Sequence, residues 1–180
     1  KETIPEYEPS ETAVIILGDV GFNYYKTKHD WKTKHQAAKF GYTIYCLRGN
    51  HEDRAMNMKD DAEVTYDENV NGTVLMEKEF PNIRYLSDKV AEYTINGLHV
   101  LTIPGAYSVD KWYRLQMDWN WFPEEQLTAE EMIIAEIAGF LPNIATDVEI
   151  VDNRKIITFK IGEDSYRLDL TRTRKPKSKE

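Results

Sequence analysis

The tetrapeptide Gly49-Asn50-His51-Glu52 follows Gly18-Asp19 by thirty-one residues. Each pair stands at the end of a short apolar run, and the residue types suit one chemistry. Hydrolysis of a phosphate ester needs an activated water and a means of spreading negative charge over the phosphoryl oxygens. Two divalent cations about 3.5–4 Å apart supply both. A carboxylate such as Asp19 can bridge such a pair, and the amide oxygen of Asn50 is a neutral hard ligand for Mn, Fe or Mg-like ions. The neighbouring His51 can give a proton to a leaving alkoxide or hydrogen-bond a phosphate. Glu52 can orient that imidazole or tie down its loop. Plainer roles stand beside these: Asp19 as the cap of a turn, Asn50 as a turn residue at positive φ, His51 as a surface histidine.

The elements around the two motifs decide whether they meet. Thr12 to Leu17 is a continuous apolar run, the pattern of a strand covered on both faces. Gly18-Asp19-Val20-Gly21 ends it. A helix is predicted over 26–39, with Trp31, His35 and Ala38 on its buried stripe and Gly41 as the stop. Thr43 to Leu47 is the next strand. Strand, helix, strand is a βαβ unit, whose parallel crossover puts both following loops at one edge of the sheet. Asp19 and Asn50-His51 are therefore expected to converge.

Beyond a polar stretch over 53–71, short strands are predicted at 73–77 and 83–86. A hairpin over 90–95 and 98–103 turns at Asn96-Gly97. An aromatic segment carries Trp112, Tyr113, Trp119, Trp121 and Phe122. Thr128 with Glu131 reads as a capping box opening a helix that runs to about Phe140, ended by Gly139 and Pro142. Antiparallel strands are predicted at 148–151, 155–161 and 166–170, with turns at Asp152-Asn153 and Gly162-Glu163-Asp164.

With 180 residues, 41% of them hydrophobic, the chain has room for one domain with a core and a small appendage. The expected layout is an extended or disordered stretch over 1–11, a main domain over 12–142, antiparallel strands over 143–170 and a basic tail over 171–180. The longest apolar run, Ala13 to Leu17, is far short of the ~18–20 residues that span a bilayer, and no secretory pattern opens the chain. The first residue is Lys, so the expectation is of a processed, trimmed or fragmentary chain. Cys46 has no intramolecular partner and lies in an apolar strand, which predicts a buried thiol and a cytoplasmic setting. A net charge of −8 argues against general nucleic-acid binding. Only residues 171–180, with five basic groups and one acid, depart from that balance, and they read as a solvated tail. No pattern sets an oligomeric state.

Ile-Leu-Gly-Asp-Val-Gly at 16–21, followed by Arg-Gly-Asn-His-Glu at 48–52, resembles the calcineurin-like metallophosphoesterases. Their signatures run D-x-H, then G-D after a strand, G-N-H-[DE], a lone His and finally G-H-x-H. The stretch from Ile103 to Arg114 also resembles a segment common in one bacterial and phage branch, so the likeness covers roughly 12–127. It implies an α/β fold, a mixed β-sheet sandwich with flanking helices. It makes Asp19 the metal-bridging carboxylate, Asn50 a ligand of the second metal and His51 the catalytic acid or phosphate contact. It also implies a divalent metal (Mn, Fe or similar) and a phosphate monoester or diester as substrate.

The departures are specific. No Asp or His precedes Asp19 to make a D-x-H, and no His follows His99. His29, His35 and His99 fall within predicted elements and read as structural. The family's metal set shrinks to Asp19 and Asn50, as in a truncated or degenerate member. The sheet is accordingly expected to be incomplete: either another segment fills the empty slot or an edge stays exposed. Two functions follow. One is a metal-dependent phosphoesterase, inactive in this chain if the absent ligands are not supplied. The other is a non-catalytic interaction module derived from one, presenting Trp112, Trp119, Trp121 and Phe122. A nucleotide-binding α/β domain is a weaker third, because Gly18-Asp19-Val20-Gly21 has neither G-x-G-x-x-G nor Walker spacing.

Overall fold

A computed structural model describes residues 7–58, 62–140, 146–151, 156–161 and 163–169. The expected basic tail over 171–180, the first six residues, Pro142, the 152–153 turn and Gly162 lie outside the described residues. The chain divides into two compact units, Lys1–Leu127 and Thr128–Glu180.

The first unit is a mixed α/β structure. Its five-stranded sheet runs in the order β1-β2-β5-β4-β3: Ala13–Leu17, Thr43–Leu47, Ile83–Tyr85, Gly72–Glu77 and Ala62–Asp67. β1, β2 and β5 are parallel, while β4 and β3 add on antiparallel. Alternation along β2 separates two cores, as the period of two requires. Ile44 and Cys46 face one way, with Phe22, Ala55, Phe80, Ile83 and Tyr85. Tyr45 and Leu47 face the other, with Val70, Val74, Leu86 and Tyr93.

Helix α1 (Lys28–Ala38) packs Ala37 and Ala38 onto the first core. Thr27 caps it, its hydroxyl accepting from His29 N at 3.2 Å, and Gly41 at φ 75° turns the chain away. Of the expected stripe of Trp31, His35 and Ala38, Ala38 packs on the core and the other two do not lie buried. The buried positions of α1 are Asp30 and Lys34, whereas Trp31 and His35 are exposed and stack on each other at 4.9 Å. Asp30 is buried because it accepts from Tyr25 N and Lys26 N, capping the preceding turn. Lys34 is buried because its stem crosses the core to pair with Glu77 of β4 at 2.6 Å.

The second core is closed by the hairpin β6 (Ala91–Ile95) and β7 (Leu98–Thr102). Its turn residues, Asn96 and Gly97, both take positive φ, as the dipeptide predicts. Two elements were hidden in the sequence: β3 inside the polar stretch, and a short helix α2 (Lys111–Gln116) inside the aromatic segment. β3 is anchored by the buried Asp67 carboxylate, which accepts from Tyr45 Oη at 2.6 Å and Asn69 N at 3.0 Å and pairs with Arg84. Burial alone would raise the Asp67 pKa, but these donors outweigh it and hold the carboxyl below its ordinary value. Burial and the same carboxylate push Tyr45 up to about 12.

β1 differs most from expectation. It is an edge strand rather than one covered on both faces: Ile16 packs inward, but Leu17 is 80% exposed and Val14 and Ile15 are also exposed. Among the described residues β2 is its only strand partner. The continuous apolar run therefore marks a strand whose second side is uncovered.

In the second unit, the capping box forms as the spacing predicts. Thr128 N donates to Glu131 at 2.9 Å, and Glu131 N donates to the Thr128 hydroxyl at 3.2 Å. Helix α3 spans Ala129–Phe140. Strands β8 (Thr146–Val151), β9 (Ile156–Ile161) and β10 (Asp164–Asp169) form an antiparallel sheet in the order β10-β9-β8. Ile134 and Ile157 are its buried centre. Among the described residues no helix is long and apolar enough to cross a membrane.

Candidate functional site

Leu17 and Leu47 are register partners at the ends of parallel strands, so their loops leave the sheet side by side. Gly18 (φ 94°) and then Asp19 (φ 53°) turn the first chain sharply. The left-handed conformation costs a non-glycine residue on the order of 1 kcal/mol. It is held here by what Asp19 meets: its Oδ1 accepts from His51 N at 3.2 Å. Gly49 makes the approach possible, since a methyl at that position would overlap the Asp19 carboxylate and backbone. Asn50 is not at positive φ; Asp19 carries that conformation instead.

Glu52 is 4% exposed and ties the two loops together. One carboxylate oxygen accepts from Gly21 N at 2.8 Å and the other from Gly49 N at 3.0 Å. Burial raises its pKa, against the lowering effect of these two donors. Of the two roles predicted for Glu52, its oxygens take the tying one.

Asn50 is oriented by a chain of polar groups. Its Nδ2 donates to Ser108 Oγ at 2.9 Å, and Ser108 Oγ donates to Glu125 Oε2 at 2.5 Å. Ser108 N also donates to Glu125 Oε1 at 3.0 Å. A hydroxyl has one proton, and Glu125 takes it, so Ser108 must accept from the amide NH2. That assignment leaves the carbonyl oxygen Oδ1 as the free end of Asn50. Arg48 binds the same segment to the β2 tip: its carbonyl accepts from Gly105 N at 2.7 Å and its Nη1 donates to Glu125 O at 3.2 Å. His51 Nε2 faces Asp110 Oδ1 at 3.9 Å.

A cleft of about 320 Å³ opens beside this rim, lined by Asp19, Gly21, Tyr24, Tyr25, His29, Thr33 and His51. Of the histidines read as structural, His29 lines the cleft. His35 stacks on Trp31, and His99 lies on β7 with Nε2 3.9 Å from Glu92. Ser108 and Asp110 lie in the 103–114 stretch that the sequence singled out, without their roles being visible. Glu125, next to Glu124 in a polar turn, gave no signal of its burial.

A two-cation centre needs more donors than this rim provides. Each cation of such a pair needs several ligands. The rim offers the Asp19 carboxylate, one oxygen of which already accepts from His51 N, and Asn50 Oδ1. No group of three or more His, Cys, Asp or Glu able to hold a metal ion occurs among the described residues. The described side chains therefore do not fit a complete two-metal centre.

A carboxylate and an Asn-His pair thus stand on the tips of adjacent parallel strands of an α/β unit. The chain belongs to the calcineurin-like phosphoesterase family, whose family model matches residues 1–166. That match supports metal-dependent phosphoesterase chemistry in general and a phosphate ester as the class of substrate. No curated protein and no solved structure matches the chain.

Proposed function

We propose that the rim of Asp19, Asn50 and His51 is the substrate-facing part of a phosphoesterase centre acting on a phosphate monoester or diester. The observation that carries this reading is the convergence of the two loops, with the Asp19 carboxylate bonded to the backbone of His51. In this reading His51 gives its proton to the leaving alkoxide, and Asp110 Oδ1 lies 3.9 Å from its Nε2. Asp19 and Asn50 Oδ1 are two oxygen donors for divalent cations such as Mn or Fe, and further donors are required before water can be activated. A single, buried cysteine fits a reducing, cytoplasmic compartment.

The incomplete donor set favours a second reading, a non-catalytic interaction module of the same descent. Of the aromatic residues expected to form its surface, Trp112 and Trp119 are more than half exposed around α2, beside the exposed Tyr113, whereas Trp121 is partly covered and Phe122 is buried. One experiment separates the two. The purified chain is assayed for Mn-stimulated hydrolysis of bis(p-nitrophenyl) phosphate and p-nitrophenyl phosphate, alongside Asp19→Ala. Turnover abolished by the substitution supports the phosphoesterase. Absence of both turnover and metal uptake, in a folded protein, refutes it in favour of the module.

A further inference from the structure

The cleft beside the rim has an unusual lining for a protein that handles phosphate. Seven residues form it, and none is Lys or Arg. Asp19 and His51, joined by a hydrogen bond, contribute to it, as do the contacting rings of Tyr24, Tyr25 and His29. These rings form an edge-to-face series: the Tyr24 and Tyr25 rings lie 4.7 Å apart at 89°, and the Tyr25 and His29 rings 4.6 Å apart at 69°. Such contacts fix ring orientation as well as adding stability.

The series is held by other segments. Asn120 Nδ2 donates to Tyr24 O at 2.6 Å, and the Arg114 guanidinium lies 5.4 Å from the Tyr24 ring centre. Phe122 meets the same ring edge-on at 6.3 Å. On the other side of the dipeptide, Asp30 fixes Tyr25 N and Lys26 N at 3.1 and 2.6 Å. The backbone under the two tyrosines is thus fastened by side chains from α1 and from the segment after α2. Tyr25 itself is half exposed, with its ring against the cleft. A ligand meeting this surface does not have to order it, and a wall set in advance is what makes binding selective.

From this geometry we infer that the cleft is a subsite for a planar aromatic group carried on the alcohol half of a phosphate ester, such as an aryl ring or a nucleobase. The inference rests on the phosphoesterase reading for the phosphate and names the class of alcohol. Charge supports the assignment. A carboxylate in a lining without Lys or Arg does not favour a second phosphate or a polyphosphate, so the cleft suits the uncharged part of the substrate. Size supports it too, because about 320 Å³ admits a ring system but is far more than a methyl or glycerol group fills. Stacking on tyrosine is tolerant of ring identity, so selectivity is for aromatic over aliphatic esters rather than for one base.

The test is equilibrium binding by calorimetry, with and without Mn, of phenyl phosphate, adenosine 5′-monophosphate, glycerol 1-phosphate and phenol. The proteins are the wild-type chain, Tyr25→Leu, Tyr25→Phe and His29→Ala, each checked for folding by circular dichroism. Tyr25 and His29 are exposed enough for their variants to fold. Aromatic phosphates are expected to bind roughly tenfold tighter than glycerol 1-phosphate. Tyr25→Leu should erase that ratio, His29→Ala should reduce it and Tyr25→Phe should keep it. A preference for adenosine 5′-monophosphate over phenyl phosphate identifies the nucleobase as the better occupant, and the reverse identifies a simple aryl ring. Equal binding of aromatic and aliphatic phosphates overturns the subsite and leaves the phosphoesterase reading standing. If phenol binds as tightly as phenyl phosphate, dependent on Tyr25, the subsite stands and the phosphate reading falls. Failure of every aromatic probe to bind overturns the subsite.

Discussion

Ser108→Ala tests whether the polar chain behind Asn50 is more than a packing detail. The substitution removes one oxygen at a site that is 1% exposed, so no water replaces it without rearrangement. Two hydrogen bonds go: the 2.5 Å bond to the Glu125 carboxylate and the 2.9 Å bond from Asn50 Nδ2. A bond to a charged group contributes about 1.5–3 kcal/mol and a neutral one about 0.5–1.5 kcal/mol. Glu125 keeps its bond from Ser108 N, so its charge is not abandoned and the lower ends apply. The expected loss is about 2 kcal/mol. Asn50→Ala alone should cost about 1 kcal/mol, and the double variant less than the sum by roughly 0.5–1 kcal/mol, because the two residues share one bond. Urea unfolding followed by tryptophan fluorescence is the assay. All four tryptophans (Trp31, Trp112, Trp119 and Trp121) lie within Lys1–Leu127, so the signal reports that unit. Additive losses, or a Ser108→Ala variant within 0.5 kcal/mol of the parent, would show that the chain of bonds does not hold Asn50.

Three further perturbations have definite outcomes. Gly49→Ala drives a methyl into Asp19, so phosphate-ester binding by calorimetry should fall at least tenfold while circular dichroism stays native; unchanged binding removes Asp19 from the site. Asp67→Asn should cost about 3 kcal/mol at pH 6, because it leaves the Arg84 guanidinium without its carboxylate. The folded carboxyl titrates below its ordinary value of 3.8, so the wild-type advantage is full above that value and is lost as pH falls through the lower folded one; a gap that is constant down to pH 2.5 contradicts the assignment. Ile15→Lys on the open side of β1 should lower self-association in light scattering with little change in melting temperature, since a charged edge strand resists edge-to-edge pairing; unchanged association at high concentration would show the edge to be inert.

Local chemistry was legible in the sequence. Asn96-Gly97 set its hairpin, Thr128 and Glu131 their capping box, and the βαβ spacing brought the Asp19 and His51 loops together. What remained hidden depends on neighbours distant in the chain. β3 reads as polar because its buried anchor is an aspartate, satisfied only by Tyr45 and Arg84 of other strands. The face of α1 is not legible because Asp30 and Lys34 are charged, and their burial follows from a turn and a strand that the helix sequence does not contain. The apolar run of β1 suggested cover on both sides, but hydrophobicity states only what a strand tolerates against it. Glu125 is the extreme case: one of two adjacent glutamates is exposed and the other carries the Ser108–Asn50 chain.

The Glu52 carboxylate reaches a glycine amide in each of the two loops, Gly21 and Gly49, 28 positions apart. Such a clasp makes two flexible-looking, glycine-rich turns move as one body. The amides of Gly21 and Gly49 should therefore exchange with solvent more slowly than their position outside the strands suggests. Whatever settles on this rim finds it already assembled, and its affinity is not reduced by the entropy of bringing the loops together.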